Sequence, residues 1–415
     1  MRFLTLDDWL RWQESLHPSE IELGLERVRL VVQRMGLVRP DFAVIIVAGT
    51  NGKGSSVAML ASILRAAGYT VGSYTSPHLL RYNERIQVDG EAVTDEALCA
   101  SFARVDAARG DTSLTYFEFG TLAAIDILQR RGVEIAVLEV GLGGRLDAVN
   151  VLDADVALIT PIDVDHVAWL GTDREAIGLE KAGILRPGRP AVCADPAPPA
   201  SVLAHARTLG APLVLAGRDY RYAVDDGHWC WQSASRRRHA LPLPALRGNF
   251  QVANAAGVLA VLERLADRFP VDQRALREGL LSVQLPGRFQ VLPGTPQRIL
   301  DVAHNPHSAQ ALVENLAQAA CNGRTHAVVG MLADKDIAAT LDVLRGGVDH
   351  WYLADLALSR AAPASALNQA LRGQGTCYAD VATAYAAAVA EAGEGDRVVV
   401  CGSFHTVAEV LAASV

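Results

Sequence analysis

Cysteine is scarce in this chain: six residues in 415, at Cys99, Cys193, Cys230, Cys321, Cys377 and Cys401, with no pair at the C-x-x-C spacing of a zinc or redox site. A disulfide-stapled scaffold is thereby excluded, and reduced thiols in a cytoplasmic protein are expected. No apolar run approaches the ~18 residues of a membrane span, and Asp7 and Asp8 fall where a secretory signal needs continuous apolar residues. A basic block is missing too. Lys and Arg number 38 against 46 Asp and Glu, a formal net charge of −8, and no nucleic-acid partner held by phosphate neutralisation is expected. Heptad arrays, solenoid periods and low-complexity tracts are also absent. What is present is a core-forming composition, 50% apolar and 20% charged, in a length that accommodates two or three domains at ~150 residues each.

Phe42 to Gly49 (FAVIIVAG) is a short continuous apolar segment rich in β-branched residues, the pattern of a strand covered on both faces. The loop TNGKGSS follows, then VAMLASILRAAG with apolar residues at helical spacing. Further buried strands are predicted at Tyr69 to Thr75, Ile135 to Val140 and Val156 to Thr160, with helical stretches between most of them. The alternation predicts a mainly parallel sheet with helices on both faces. Between Asp219 and Pro244, polar residues alternate with aromatic and β-branched ones around Asp225, Asp226 and Gly227, which predicts an antiparallel hairpin insertion. Its cluster Arg236 to His239 reads as a solvated face or as an anion contact. A helix is expected over Phe250 to Leu265, then turn residues at Leu285 to Gln290. RILDVA, THAVVGM, HWYLAD and DRVVVCGS then read as strands, and SAQALVENLAQAA, IAATLDVLR, PASALNQALR and VAEVLAASV as helices. Two domains are expected, 1–285 and a smaller α/β unit over 286–415.

Gly49 to Ser55 reads GTNGKGS. Such a loop between a buried strand and a helix aims successive backbone N–H groups and the positive end of the helix dipole at a phosphate chain, and Lys53 can follow the terminal phosphates. The spacing departs from G-x-x-x-x-G-K-[ST], since two residues separate the first glycine from Gly52-Lys53 and Gly54 precedes Ser55. A nucleoside triphosphate brings Mg²⁺, which takes oxygen ligands and at most an occasional imidazole. Ser76, Glu139 and His166 each lie just beyond a predicted strand, where ligands gather in open α/β sheets. Singly they read as a turn serine, a strand-end carboxylate and a loop histidine; beside a phosphate loop they read jointly as a metal site. Lys181 in EKAGI reads as an ion pair with Glu180 or a solvated position.

Taken in order, GTNGKGS, YTSPHL, NERI, TYFEFGT, EVGLGGRLDAVN, DHVAWLG, EKAGI, LPGRFQ, DVAHNPHS, GMLADKD and CGSFHTVAEV resemble the motifs of the bacterial dihydrofolate synthase/folylpolyglutamate synthase family, within the Mur ligase group. The resemblance runs from LGLERV near Leu23 to the last helix. It implies a P-loop domain with a mainly parallel sheet and hairpin insertion, a Rossmann-like C-terminal domain, and an ATP-dependent carbon–nitrogen ligase. The implied reaction adds L-glutamate to dihydropteroate and to reduced folates through an acyl phosphate, releasing ADP and phosphate.

Residue by residue, the resemblance assigns Thr50, Asn51, Gly52, Lys53, Gly54 and Ser55 to the ATP phosphates, with Asn254, Arg288, Asp301 and neighbouring His304 also on ATP. Ser76 and Glu139 would ligate Mg²⁺ and His166 a second Mg²⁺; Lys53, Glu139, His166 and Lys181 would form the catalytic set, with Lys181 carbamylated. Thr115, Tyr116, Phe117 and Glu118, with Leu146, Asp147 and Ala148, match pterin-substrate positions. Both domains must then close over the nucleotide, about a hinge near Leu285 to Arg288. Two departures stand out: Val149, where threonine is commoner, and Asp163, an extra acid ahead of Asp165-His166. A UDP-muramyl-peptide ligase and an ATP-driven P-loop switch are the competing readings. A cytoplasmic monomer without membrane or nucleic-acid partner is expected.

Overall fold

The computed structural model describes residues 2–19 and 21–413 and folds around three sheets. The first has eight strands: β1 (Ala43–Ala48), β2 (Val71–Tyr74), β3 (Ile86–Val88), β4 (Glu91–Ala92), β5 (Ile135–Glu139), β6 (Val156–Ile159), β7 (Ala191–Cys193) and β8 (Leu213–Leu215). Their order is β4-β3-β2-β5-β1-β6-β7-β8. Strands from β2 to β8 run parallel, while β3 and β4 form an antiparallel edge. β1 explains the arrangement locally. All six residues are buried, and the two-residue period sends Val44, Ile46 and Ala48 into the core on one face and Ala43, Ile45 and Val47 into the core on the other.

Parallel register makes the strands end together. Val47 of β1 lies opposite Glu139 of β5, and Ala48 opposite Ile159 of β6, so the loops leaving β1, β2, β5 and β6 open on one sheet edge. The insertion is a three-stranded antiparallel sheet rather than one hairpin: β9 (Tyr220–Asp225), β10 (His228–Ser233) and β11 (Arg237–Pro242). Trp229 and Trp231 fix it, being fully buried with indole N–H groups donating to Pro242 O and Ala256 O. Arg236 to His239 lie along an outer edge; Arg236, Arg237 and His239 are exposed, and Arg238 donates to Val271 O. The solvated reading of that cluster fits.

After the helix Gln273–Ser282 the chain enters a six-stranded sheet of β12 (Gln290–Leu292), β13 (Gln297–Leu300), β14 (Thr325–Val329), β15 (His350–Ala354), β16 (Thr376–Tyr378) and β17 (Arg397–Cys401). Its order is β12-β13-β17-β14-β15-β16, parallel except for β12. Helices bury separate apolar clusters on its two faces. The last helix is Phe404–Ala412; its predicted extension through Ser414 and Val415 lies outside the described residues. Among the described residues no helix is long and apolar enough to cross a membrane.

Candidate active site

The loop after β1 meets the helix Lys53–Ala66 at Gly52, whose φ is 88°. Glycine is required there on two counts, because a Cβ would also lie 2.5 Å from Asn254 Oδ1. The loop is tied down from the β6 side: Thr50 N donates to Pro161 O (2.9 Å), and Thr50 Oγ1 donates to Asp163 O (2.8 Å) and accepts from Asp163 N (2.9 Å). Asp163 therefore acts here through its backbone; its carboxylate accepts from Val164 N. Lys53 Nζ donates to Gly49 O and Thr50 O at 3.0 and 3.1 Å. Burial lowers its pKa, while Glu139 and Asp165 pull in the opposite direction. Asn254 Nδ2 donates to Gln251 Oε1 (3.1 Å), and Gln251 Nε2 donates to Ser55 Oγ (3.2 Å), leaving the serine hydroxyl proton free to point elsewhere.

This loop forms one wall of a cleft of about 420 Å³ into which Ser76, Glu139, His166 and Asn254 also project, a volume in the range of small-molecule sites. Arg288, Asp301 and His304 line the opposite wall. Asp301 is oriented by Phe289 N and Ala303 N, both donating at 2.8 Å. Burial raises the Asp301 pKa and lowers that of Arg288, and each charge partly compensates the other. The Arg288 guanidinium also sits over the Phe404 ring, 5.0 Å from its centroid.

Glu139 is buried, and burial raises its pKa. Its carboxylate accepts from Ser76 N at 3.4 Å, a weak contact. A buried carboxylate so lightly bonded, beside a serine hydroxyl and a phosphate loop, is an oxygen donor set that fits Mg²⁺. Among the described residues no group of three His, Cys, Asp or Glu converges on one point, so such an ion would complete its shell with phosphate and water oxygens, as Mg²⁺ commonly does. His166 has φ 54° and an imidazole held at a pKa of about 4 by burial and then by Lys335, so it is neutral and able to ligate.

Lys181 lies behind the loop, in a small pocket shared with Gly49, Lys53, Asp165 and His166. It is not paired with Glu180, which instead binds Arg145 at 2.8 Å. Lys181 Nζ donates to Gly49 O (2.9 Å), and burial, then Lys53, brings its pKa to about 7.

The residues matched to pterin positions sit outside the lining of the main cleft. Thr115 caps the helix Tyr116–Arg130 by accepting from Glu118 N (3.2 Å), and Glu118 accepts from Thr115 N (2.8 Å) and from Arg27. Phe117 closes on the glycine loop after β5, where a Cβ at Gly141 would meet its ring at 2.7 Å. Tyr116 packs edge-on against Tyr82. Asp147 accepts from Leu142 N and Val149 N, and burial takes its pKa to about 6. Leu146 precedes that turn and Ala148 is buried in it.

Four polar residues of the site were not singled out in the sequence: Asp165, Gln251, Asn305 and Lys335. Asp165 accepts from Lys335 Nζ at 2.7 Å, and its pKa is held well below the carboxylate range: burial would raise it, but His304, His166 and Lys335 outweigh that. Asp165, Asn305 and Lys335 stand inside the motifs DHVAWLG, DVAHNPHS and GMLADKD, which were the available signal.

Known proteins can be set against this geometry. The Mur ligase middle domain model matches residues 47–195, and the model of the Mur ligase glutamate ligase domain matches 287–404. The dihydrofolate synthase/folylpolyglutamate synthase of Escherichia coli K12 is 48% identical across 98% of this chain and 94% of its own length. The solved structure of E. coli FolC in complex with DHPP and ADP covers 99% of this chain and 98% of its own, with a TM-score of 0.95 at 48% identity. A crystal structure of a bifunctional folylpolyglutamate synthase/dihydrofolate synthase with Mn, AMPPNP and L-glutamate bound aligns with a TM-score of 0.93, again at 48% identity over 99% of this chain and 98% of its own.

Proposed function

Since the chain belongs to the Mur ligase family and, within it, to the dihydrofolate synthase/folylpolyglutamate synthases, we propose that its cleft joins glutamate to a pterin acid by phosphorylating the acid's carboxylate. The protein is an ATP-dependent ligase of glutamate to folates, and it uses a divalent cation. The observation that carries the mechanism is the meeting, in one cleft, of a phosphate loop with Lys53 and Glu139 from the first domain and Arg288, Asp301 and His304 from the second.

One carboxylate oxygen of dihydropteroate, or of a reduced folate's terminal glutamate, attacks the γ-phosphorus of ATP, and the bond to ADP breaks. The α-amine of L-glutamate then attacks the acyl carbon, loses a proton and expels inorganic phosphate. Phosphoryl transfer asks the protein mainly for in-line positioning and for cancellation of developing charge. Loop N–H groups hold the phosphates of ATP, with Thr50 to Ser55 as their frame. Lys53 gives up its carbonyl partners to follow the β- and γ-oxygens, while Asn254 holds Gln251 against Ser55. Ser76 and Glu139 would hold Mg²⁺, with His166 at a second ion. When bound, the metal supplies Lewis-acid neutralisation of phosphate oxygens. Thr115 to Glu118 and Leu146 to Ala148 hold the pterin end beside Phe117.

Lys181 serves as a carbamate in this reading. An amine with a pKa of about 7 is substantially neutral at physiological pH; its nitrogen attacks CO₂ and releases a proton, leaving a carbamate whose single negative charge is shared by two oxygens in the pocket with His166. Units 1–285 and 286–415 act as the two jaws of a cytoplasmic monomer. Purified protein given ATP, Mg²⁺, glutamate and dihydropteroate should form dihydrofolate with one ADP per amide. Turnover of a UDP-muramyl substrate instead, or ATP hydrolysis without glutamate, would overturn the assignment.

A further inference from the structure

We propose that Asp165 is the pin on which the second domain seats, a positioning residue that fixes Arg288, Asp301 and His304 over the phosphate loop. Asp165 leaves the first sheet just after β6, and its own domain holds it through His166 N, which donates to Oδ1 at 2.7 Å. Among the described residues, its other partners come from across the cleft. Lys335 Nζ donates to Oδ1 at 2.7 Å and Asn305 Nδ2 to Oδ2 at 3.1 Å, while His304 Nε2 lies 3.5 Å from Oδ2. The Asp165 and Lys335 side chains are only 9% and 8% exposed, so water screens the pair little.

Donors therefore reach one carboxylate from two separate loops of the second domain, one after β13 and one after β14. The first of these loops also carries Asp301, so the placement of Asp165 is transmitted to the nucleotide-facing wall within a few residues. Asn305 extends the contact to the phosphate loop. Its Oδ1 caps the helix Pro306–Gln318 by accepting from Ser308 N (2.9 Å), and its Nδ2 also lies 3.3 Å from Asn51 Oδ1. Asn51 Nδ2 in turn lies 2.8 Å from His307 Nδ1. A second domain seated this way has a defined distance to Lys53 and Glu139. Without the pin it is held by the segment between the last helix of the first domain and β12, by the Asn51 contacts and by Leu79 packed against the second domain's core.

The proposal rests on the ligase reading only for its turnover readout; the scattering readout is independent of it. Asp165→Asn keeps the shape and removes the charge, and Lys335→Met removes the cation while leaving the first domain intact. Small-angle X-ray scattering of the full-length protein with AMPPNP and Mg²⁺ should show a larger radius of gyration for each variant, and no further increase for the double variant. Turnover with ATP, glutamate and dihydropteroate should fall ~10- to 100-fold, the scale of a misplacement of about 1 Å, with the double variant no worse than the poorer single one. If Asp165→Asn fails to fold, Lys335→Met decides alone. Scattering indistinguishable from wild type in the folded variants, even with lowered thermal stability, overturns the pin. A wild-type protein inactive in the assay would overturn the ligase reading and leave the scattering comparison as the test of the pin.

Discussion

Lys53 and Lys181 both donate to the same carbonyl, Gly49 O, yet their expected behaviour differs. Lys53 faces the cleft, and Lys53→Ala should lower kcat by at least ~10²-fold, the usual loss when one charge-stabilising donor is removed. Near-normal ADP release would mean that the loop does not catalyse. Lys181 is shielded behind the loop, and its pH dependence has a definite sign. With the amine held at about 7, first by burial and then by Lys53, the neutral form gains as pH rises through that value, and carbamate needs the neutral form. At fixed dissolved ¹³CO₂, the ¹³C NMR carbamate signal should therefore grow from about pH 6 to about pH 8. Lys181→Ala should lose activity that small carboxylates partly restore. An unmodified, dispensable lysine would end this role. The chain order alone offered Glu180 as the partner of Lys181. That reading failed because the amine's real contact lies 132 residues away in sequence, beyond any local pattern, whereas the GTNGKGS loop was legible because its chemistry is contiguous.

Long apolar elements were legible for the same reason. FAVIIVAG became β1, and the predicted helix over Phe250 to Leu265 became Asn249–Arg264, since periodicity over six or more residues outweighs local noise. β7, β8 and β16 have three residues each, too few to carry a period; they exist because a neighbouring strand offers them a ladder. The departure at Val149 also resolves at this scale. The side chain is fully buried in the apolar cluster around Ala148 and Leu152, where valine leaves no hydroxyl needing a partner. In the TYFE segment, proposed to hold the pterin end, an element's start would set that site. Thr115 and Glu118 satisfy each other's backbone N–H groups in a capping box, which fixes where the helix starts and so where Phe117 projects. Thr115→Ala should cost about 1 kcal/mol, read as a lower urea midpoint. Because the cap also aims Phe117, KM for dihydropteroate should rise more than KM for ATP; equal changes in both would mean the cap contributes stability alone.

Two sheets with separate cores have to present their cleft walls at one spacing, and the segment between them decides whether they can. Gly287 is the point where that segment turns. Its φ is 71°, Val302 N donates to its carbonyl at 2.9 Å, and a Cβ there would meet Val302 Cγ1 at 3.0 Å. Alanine would thus be strained in its backbone and tight against the strand-end loop that carries Asp301. The neighbouring residues leave little slack. Arg288 reaches into the cleft and Phe289, at φ 44°, gives its N–H to Asp301, so a shift at 287 moves both groups together. Gly287→Ala is expected to leave each domain's core folded, as none of the apolar clusters of the two domains includes the residue. It should nonetheless lower kcat by ~10-fold or more through misplacement of Arg288. Far-ultraviolet circular dichroism with steady-state kinetics checks both parts. An active Gly287→Ala enzyme would mean that the two walls find their spacing without this turn, through the contacts at Asp165 and Asn51.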